Sequence, residues 1–133
     1  MTKNEVRENN YYYVTADMTK QNKIGRIKPG TSRQKSASAR TNAVKRNEKG
    51  MKVIGYLKID SITKSRLEDI EGRIKADLDD IGFTHFGNDH FEFKFNRTGK
   101  RKTQYELIAA AILYRAARLF ESYHYKCDFV WLG

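Results

Sequence analysis

The chain has 133 residues, of which 39% are hydrophobic, and a formal net charge of +10. This length suits one compact domain. The single cysteine, Cys127, excludes an intramolecular disulfide and a cysteine-based zinc cluster. The N-terminus lacks the apolar core of a signal peptide, and the most apolar run, residues 107–114, is too short to cross a bilayer. We therefore expect a cytoplasmic protein without a membrane partner.

The positive charge is concentrated in one segment. Residues 20–49 contain ten Lys/Arg and one acid, whereas residues 61–133 contain twelve Lys/Arg and eleven Asp/Glu. The basic segment follows the three consecutive tyrosines at residues 11–13. Cations that adjoin aromatic side chains indicate a nucleic-acid partner. The simpler alternative is a solvated basic segment.

The first third of the chain predicts two strands and a helix. Residues 1–9 are polar and are expected to be flexible. Strand-forming side chains fill residues 11–16, and a second strand is predicted over residues 23–27, with Pro29-Gly30 as the turn that stops it. A helix rich in cations is predicted over residues 36–46.

The middle of the chain predicts a strand and an amphipathic helix. Residues 51–60 alternate in side-chain character as a strand does. Ser61 or Thr63 can cap the following helix, which is predicted to end near Ile81. Its apolar side chains recur at helical spacing and are expected to be buried: Leu67, Ile70, Ile74, Leu78 and Ile81.

The last third predicts a short strand at residues 91–95, a long and mostly buried helix at residues 103–123, and an edge strand at residues 127–132. The predicted order is β-β-α-β-α-β-α-β. It indicates an α/β fold in which helices flank a small central mixed or antiparallel sheet.

Four short motifs occur in a defined order along these elements. They are Tyr11-Tyr12-Tyr13-Val14, Lys23-Ile24-Gly25-Arg26, Leu67-Glu68 and His90-Phe91-Glu92-Phe93. Together they resemble the GIY-YIG nuclease superfamily, and in particular a phage-associated branch whose second motif reads Lys-Ile-Gly. The resemblance implies a GIY-YIG-like domain over residues 10–95. It also implies a C-terminal extension, residues 96–133, that packs on the same domain as a helix and a strand.

This resemblance implies a metal-dependent endonuclease, phage-borne in a bacterial host, that hydrolyses phosphodiester bonds in DNA with Mg²⁺ or Mn²⁺. The expected partner is double-stranded DNA. The catalytic residues that it implies are Tyr13, Lys23, Arg40 and Glu68. Glu68 would be the metal ligand, with Glu71 one turn along as the fallback. Tyr13 would orient or deprotonate the attacking water, with Tyr12 as second choice, and Arg40 would contact phosphate, with Arg33 as its alternative.

Further side chains are expected to contact the nucleic acid. They are Tyr12, Lys20, Arg26, Lys28, Arg33, Lys35, Lys45 and Arg46. Each also has a simpler interpretation, as a core aromatic residue or as a solvated cation. Glu68 likewise has the alternative of an exposed carboxylate in an acidic helix.

Two departures from the family pattern motivate alternative functions. Lys23 occupies the place of a tyrosine in the second motif, and the first motif lacks its glycine. One alternative is a catalytically impaired GIY-YIG-like protein that binds DNA or RNA. The other is a phage-type protein-interaction factor that uses its apolar C-terminal helix as the interface.

Overall fold

The computed structural model describes residues 6–7, 10–17, 24–32, 51–80, 84–86, 90–95 and 99–132. In chain order the elements are β1 (Val6–Arg7), β2 (Asn10–Asp17), β3 (Ile24–Ser32), β4 (Met51–Ile59), β5 (Ile62–Thr63), α1 (Lys64–Asp80), β6 (Thr84–Phe86), β7 (His90–Lys94), α2 (Arg101–Ser122) and β8 (Cys127–Trp131). The helix predicted over residues 36–46 lies outside the described residues.

Six of the strands form one antiparallel sheet in the order β6-β7-β3-β2-β4-β8. The central strand β2 pairs with β3 on one side and with β4 on the other. A register shift between Val14 and Thr15 marks an irregularity in the pairing of β2 with β4. The remaining two short strands, β1 and β5, pair with each other. The α/β fold with a small antiparallel sheet is therefore confirmed.

The main core lies between the sheet and the two helices. Successive residues of a strand point to opposite faces. On β2, Tyr12, Val14 and Ala16 point toward the helices and belong to this core, which both helices join. Tyr13 points to the other face, where it packs with Val53 and Tyr56. This division of the tyrosines between two faces follows from the alternation of side chains along a strand.

Helix α1 follows the sequence prediction closely. Its buried residues are four of the five predicted, Leu67, Ile70, Ile74 and Leu78, and the fifth, Ile81, lies outside the described part of the chain. The backbone N–H of Arg66 donates a hydrogen bond to Oγ1 of Thr63 over 3.2 Å. Thr63 thus caps the helix, because a side-chain oxygen there satisfies a first-turn N–H that has no partner within the helix.

The C-terminal segment belongs to the same core and the same sheet. The prediction that the C-terminal helix is mostly buried is wrong, because α2 buries only one face, which consists of Tyr105, Ala109, Ile112, Leu113, Ala116 and Phe120. The Phe120 ring meets the Tyr12 ring edge-on, with 6.3 Å between the centroids. Strand β8 pairs with β4 at the end of the sheet, as predicted for an edge strand.

Three further details differ from the predicted elements. Strand β3 does not stop at Pro29-Gly30 but continues to Ser32. Proline has no backbone N–H, so a strand tolerates it where no neighbouring strand needs that donor. Residues 28–32 of β3 are such a place, because β7 pairs only with residues 24–27. Strand β6 was not predicted, because three residues are too few to show the alternation of a strand. Val6–Arg7, in the segment expected to be flexible, pairs with Ile62–Thr63.

No helix within the described part of the chain is long and apolar enough to cross a membrane.

Candidate active site

A cavity of about 450 Å³ lies beside the second half of β3 and helix α1. Its described lining consists of Tyr12, Tyr13, Lys28, Pro29, Gly30, Thr31, Glu68, Glu71, Gly72, Lys75 and Phe91. Because β7 covers only residues 24–27 of β3, residues 28–32 form an edge of the described sheet. The cavity lies at this edge, so both faces of the sheet contribute to its wall.

Tyr13 reaches the cavity across the backbone of β3. It is the register partner of Gly30 in the β2–β3 ladder. An ideal Cβ atom at Gly30 would lie 2.6 Å from the Tyr13 hydroxyl and 2.8 Å from its Cζ. The end of the ring therefore lies directly over Gly30, in space that any other residue would fill. In this way a tyrosine that is only 4% exposed lines the cavity.

Tyr12 lines the cavity from the core side and is 1% exposed. Its burial raises its pKa well above the ordinary value of 10.0, and the negative charges of Glu71 and of ionised Tyr13 add to this shift. The second choice for the water-activating tyrosine is thus held as a neutral phenol. Since its ring packs on Phe120, Tyr12 offers a ligand no stacking surface.

Two carboxylates of α1 face the cavity. Buried Leu67 and Ile70 fix the rotation of the helix, so Glu68 and Glu71, three residues apart, lie on neighbouring turns of one side. The side chain of Glu68 is 46% exposed, and its Oε1 lies 3.9 Å from Nζ of Lys64, whose side chain is 54% exposed. Such an exposed pair is worth little, so the Glu68 carboxylate can exchange this partner for a ligand.

The donor set fits a hydrated magnesium or manganese ion. Mg²⁺ prefers oxygen ligands and keeps several waters, so one or two carboxylates suffice to hold it. Glu68 and Glu71 provide such oxygens in one cavity. Across the ranges that the structure describes, no group of three or more His, Cys, Asp and Glu side chains could hold a metal ion. A site with one or two carboxylates does not require such a group.

Cations of β3 and α1 lie both inside and outside the cavity. Lys28 and Lys75 line the cavity. Lys75 was not among the predicted site residues, although its position seven residues after Glu68 places it on the same side of α1. Arg26 does not line the cavity but lies near the start of β3, where its Nε is 3.9 Å from Oε2 of Glu92. Its backbone N–H donates a hydrogen bond to the Tyr105 hydroxyl over 3.2 Å.

The remaining predicted contacts fall outside the described residues. They are Lys20, Lys23, Arg33, Lys35, Arg40, Lys45 and Arg46. Of the four predicted catalytic residues, the structure thus describes Tyr13 and Glu68, and both line the same cavity. Comparisons of the chain with protein-family models, with curated proteins and with solved structures gave no match.

Proposed function

We propose that the protein is a metal-dependent endonuclease that hydrolyses phosphodiester bonds in DNA, and that its active site is the cavity between β3 and α1. The observation that supports this most strongly is the shared cavity of Tyr13 and Glu68, which are distant in the sequence. A hydroxyl, two carboxylates and two ammonium groups in one open cavity are groups that can support metal-assisted phosphodiester hydrolysis.

Each side chain has a distinct part in this reaction. Glu68, with Glu71 beside it, would hold Mg²⁺ or Mn²⁺, which supplies stabilisation of negative charge on the phosphoryl and leaving oxygens. The Tyr13 hydroxyl accepts a hydrogen bond from the attacking water and orients it toward phosphorus. Lys28 and Lys75 contact the non-bridging phosphate oxygens, on which negative charge accumulates. Tyr12, a neutral phenol, remains a hydrogen-bonding group throughout.

The charge distribution supports a polyanionic substrate. Lys28 belongs to residues 20–49, in which ten Lys/Arg accompany a single acid. The cavity therefore lies on the strand that leads into the most basic part of the chain. A positive segment that continues from this strand along the chain would raise the local concentration of nucleic acid and provide backbone contacts without sequence preference.

A second candidate function is nucleic-acid binding without cleavage. Two lysines favour it. The ammonium of Lys64 lies 3.9 Å from the proposed metal ligand Glu68, where it competes with a cation. Lys23 replaces the tyrosine hydroxyl of the family's second motif. In this case the cavity would hold a phosphate group without activating water.

Nicking of supercoiled plasmid DNA separates the two functions. The purified full chain is incubated with plasmid and with Mg²⁺ or Mn²⁺, and a chelator is added to a parallel sample. The endonuclease converts supercoiled plasmid to the open-circular form, and the chelator prevents this. Absence of nicking across a panel of divalent ions, together with retained salt-sensitive binding, would contradict the endonuclease and support the binding protein.

A further inference from the structure

Strand β8 ends the sheet with apolar side chains exposed. Phe129 is 52% exposed, Trp131 is 37% exposed and Leu132 is 46% exposed. The rings of Phe129 and Trp131 stack, with 5.9 Å between centroids and an interplanar angle of 10°. No strand in the described ranges pairs with the outer side of β8. An exposed apolar edge strand is a template for pairing with another strand.

The hydrogen-bonding pattern shows which backbone groups face outward. The N–H of Leu132 donates to the carbonyl oxygen of Ile54 over 2.8 Å. In an antiparallel ladder the direction of these groups alternates along the strand. Residues 128, 130 and 132 therefore point their backbone groups toward β4, and the other three point outward: Cys127, Phe129 and Trp131. These three are arranged symmetrically about Phe129.

We propose that β8 pairs with β8 of a second copy of this chain in an antiparallel ladder whose two-fold axis passes Phe129. Phe129 then faces Phe129 of the partner subunit, and Cys127 faces Trp131 of the partner subunit. This register satisfies all three outward-pointing residues of each copy. The two-fold axis keeps corresponding faces of the two sheets together, so the four exposed aromatic rings form one row.

The charge distribution is compatible with a second copy, and the exposed area sets the strength of the dimer. The excess positive charge lies in residues 20–49, whereas residues 61–133 are close to neutral with twelve Lys/Arg and eleven Asp/Glu. At the edge itself Lys126 and Asp128 balance each other. The exposed parts of Phe129 and Trp131 amount to roughly 200 Å² per protomer. With the strand backbone this is a small interface, so the dimer is weak and depends on concentration.

The dimer places the two candidate active sites a defined distance apart, a consequence that rests on the function proposed above. Gly30, Tyr13, Tyr56 and Val130 are successive register partners across the sheet. In each copy three strand spacings separate β3 from β8. In the continuous sheet the two Gly30 residues are seven spacings apart, or roughly 34 Å at about 4.8 Å per spacing. This is about one helical turn of B-form DNA.

Analytical ultracentrifugation of the full chain without nucleic acid tests the dimer independently of any nuclease activity. The wild type is expected to sediment as a monomer–dimer mixture at concentrations up to about 200 µM. Phe129→Ser, at the two-fold axis, is expected to weaken association at least about tenfold. The matched control is Leu107→Ser, which removes an even more exposed side chain, 67%, from α2, and it should leave association unchanged.

A cross-link tests the register. Facing residues of a hydrogen-bonded antiparallel pair have Cα atoms about 5.5 Å apart, within the reach of a disulfide. Phe129→Cys in a Cys127→Ser background should therefore form a covalent dimer on oxidation, and Leu107→Cys in that background should not. A wild type that remains monomeric at about 200 µM would leave this edge to a strand of another protein and overturn the proposal. A dimer that Phe129→Ser does not weaken would overturn it as well.

Discussion

The phenol oxygen of Tyr13 lies so close to Gly30 on the neighbouring strand that a Cβ atom there would be 2.6 Å away. This contact explains how a buried aromatic residue reaches the wall of an open cavity. The ring crosses the β3 backbone at the one position where no side chain obstructs it. The placement of the proposed water-orienting hydroxyl therefore depends on a glycine two residues after Lys28.

Gly30→Ala is expected to destabilise the protein by about 1–3 kcal/mol, because the added methyl group must displace the Tyr13 ring. The free energy of unfolding by denaturant measures this cost. In a Tyr13→Ala background the same substitution should cost much less, since the ring is absent. Equal costs in the two backgrounds would contradict the contact. Gly72→Ala is the control, because a Cβ there meets nothing within 4 Å and should stabilise α1 by about 0.5–1 kcal/mol.

Lys28→Ala is expected to weaken DNA binding and to reduce the magnitude of its salt dependence by about one unit of the logarithmic slope, as for one lost phosphate contact. Titrations at several salt concentrations measure this slope. The control is Lys126→Ala, which removes an exposed cation next to β8, three strand positions from β3 and the cavity. Identical slopes for Lys28→Ala and the wild type would remove Lys28 from the DNA contact.

The thiol of Cys127 is expected to react slowly with alkylating agents. Burial raises its pKa from 9.0 to about 12, with further contributions from Glu121, Asp128 and Asp60. Since the thiolate is the reactive form, alkylation by iodoacetamide at pH 8 should be on the order of a hundredfold to a thousandfold slower than in denaturant. Mass spectrometry follows the reaction without ambiguity, because Cys127 is the only cysteine. Similar rates in the folded and unfolded chain would show that the thiol is accessible and ionised.

Stability is expected to fall in alkaline solution, partly because of Tyr12. Burial raises the pKa of the folded residue above 10.0, whereas the unfolded residue ionises near pH 10. The neutral phenol therefore contributes its full stabilisation below about pH 10, and this stabilisation is lost as the pH rises toward the folded pKa. In Tyr12→Phe this loss is absent. The free energy of unfolding of the variant, relative to that of the wild type, should therefore be higher at pH 11 than at pH 8. Parallel changes in the two proteins would contradict the assignment.

The sequence predicted the elements whose side-chain pattern is long enough to be periodic. Residues Leu67 to Leu78 revealed α1, and the apolar residues of α2 and the alternation of β4 revealed those elements. Strand β6 offers only three residues, and Pro29 suggested an end to β3 that the structure does not have. Proline interrupts a ladder only where a neighbouring strand requires an N–H donor at that position. The sequence alone does not show which part of β3 lacks such a neighbour.

The candidate site was predictable in part for a similar reason. Tyr13 and Glu68 were found through the resemblance to a nuclease family, which relates residues that are distant in the chain. The choice between Tyr12 and Tyr13 depends on which of them faces the core, and the sequence of β2 does not show which face that is. Lys75 was missed because a lysine on an acidic, exposed helix is ordinary until the cavity beside it is known.

Cleavage and binding by Glu68→Ala, compared with Asp69→Ala, test the central claim most directly. The two side chains are neighbours on α1 and are equally exposed, 46% each, but Asp69 pairs with Arg66 and Arg73 and does not line the cavity. Plasmid nicking with Mg²⁺ and DNA binding are measured on the same preparations. We predict that Glu68→Ala loses nicking and retains binding, whereas Asp69→Ala retains both. Nicking by Glu68→Ala at the wild-type rate would contradict the proposed active site.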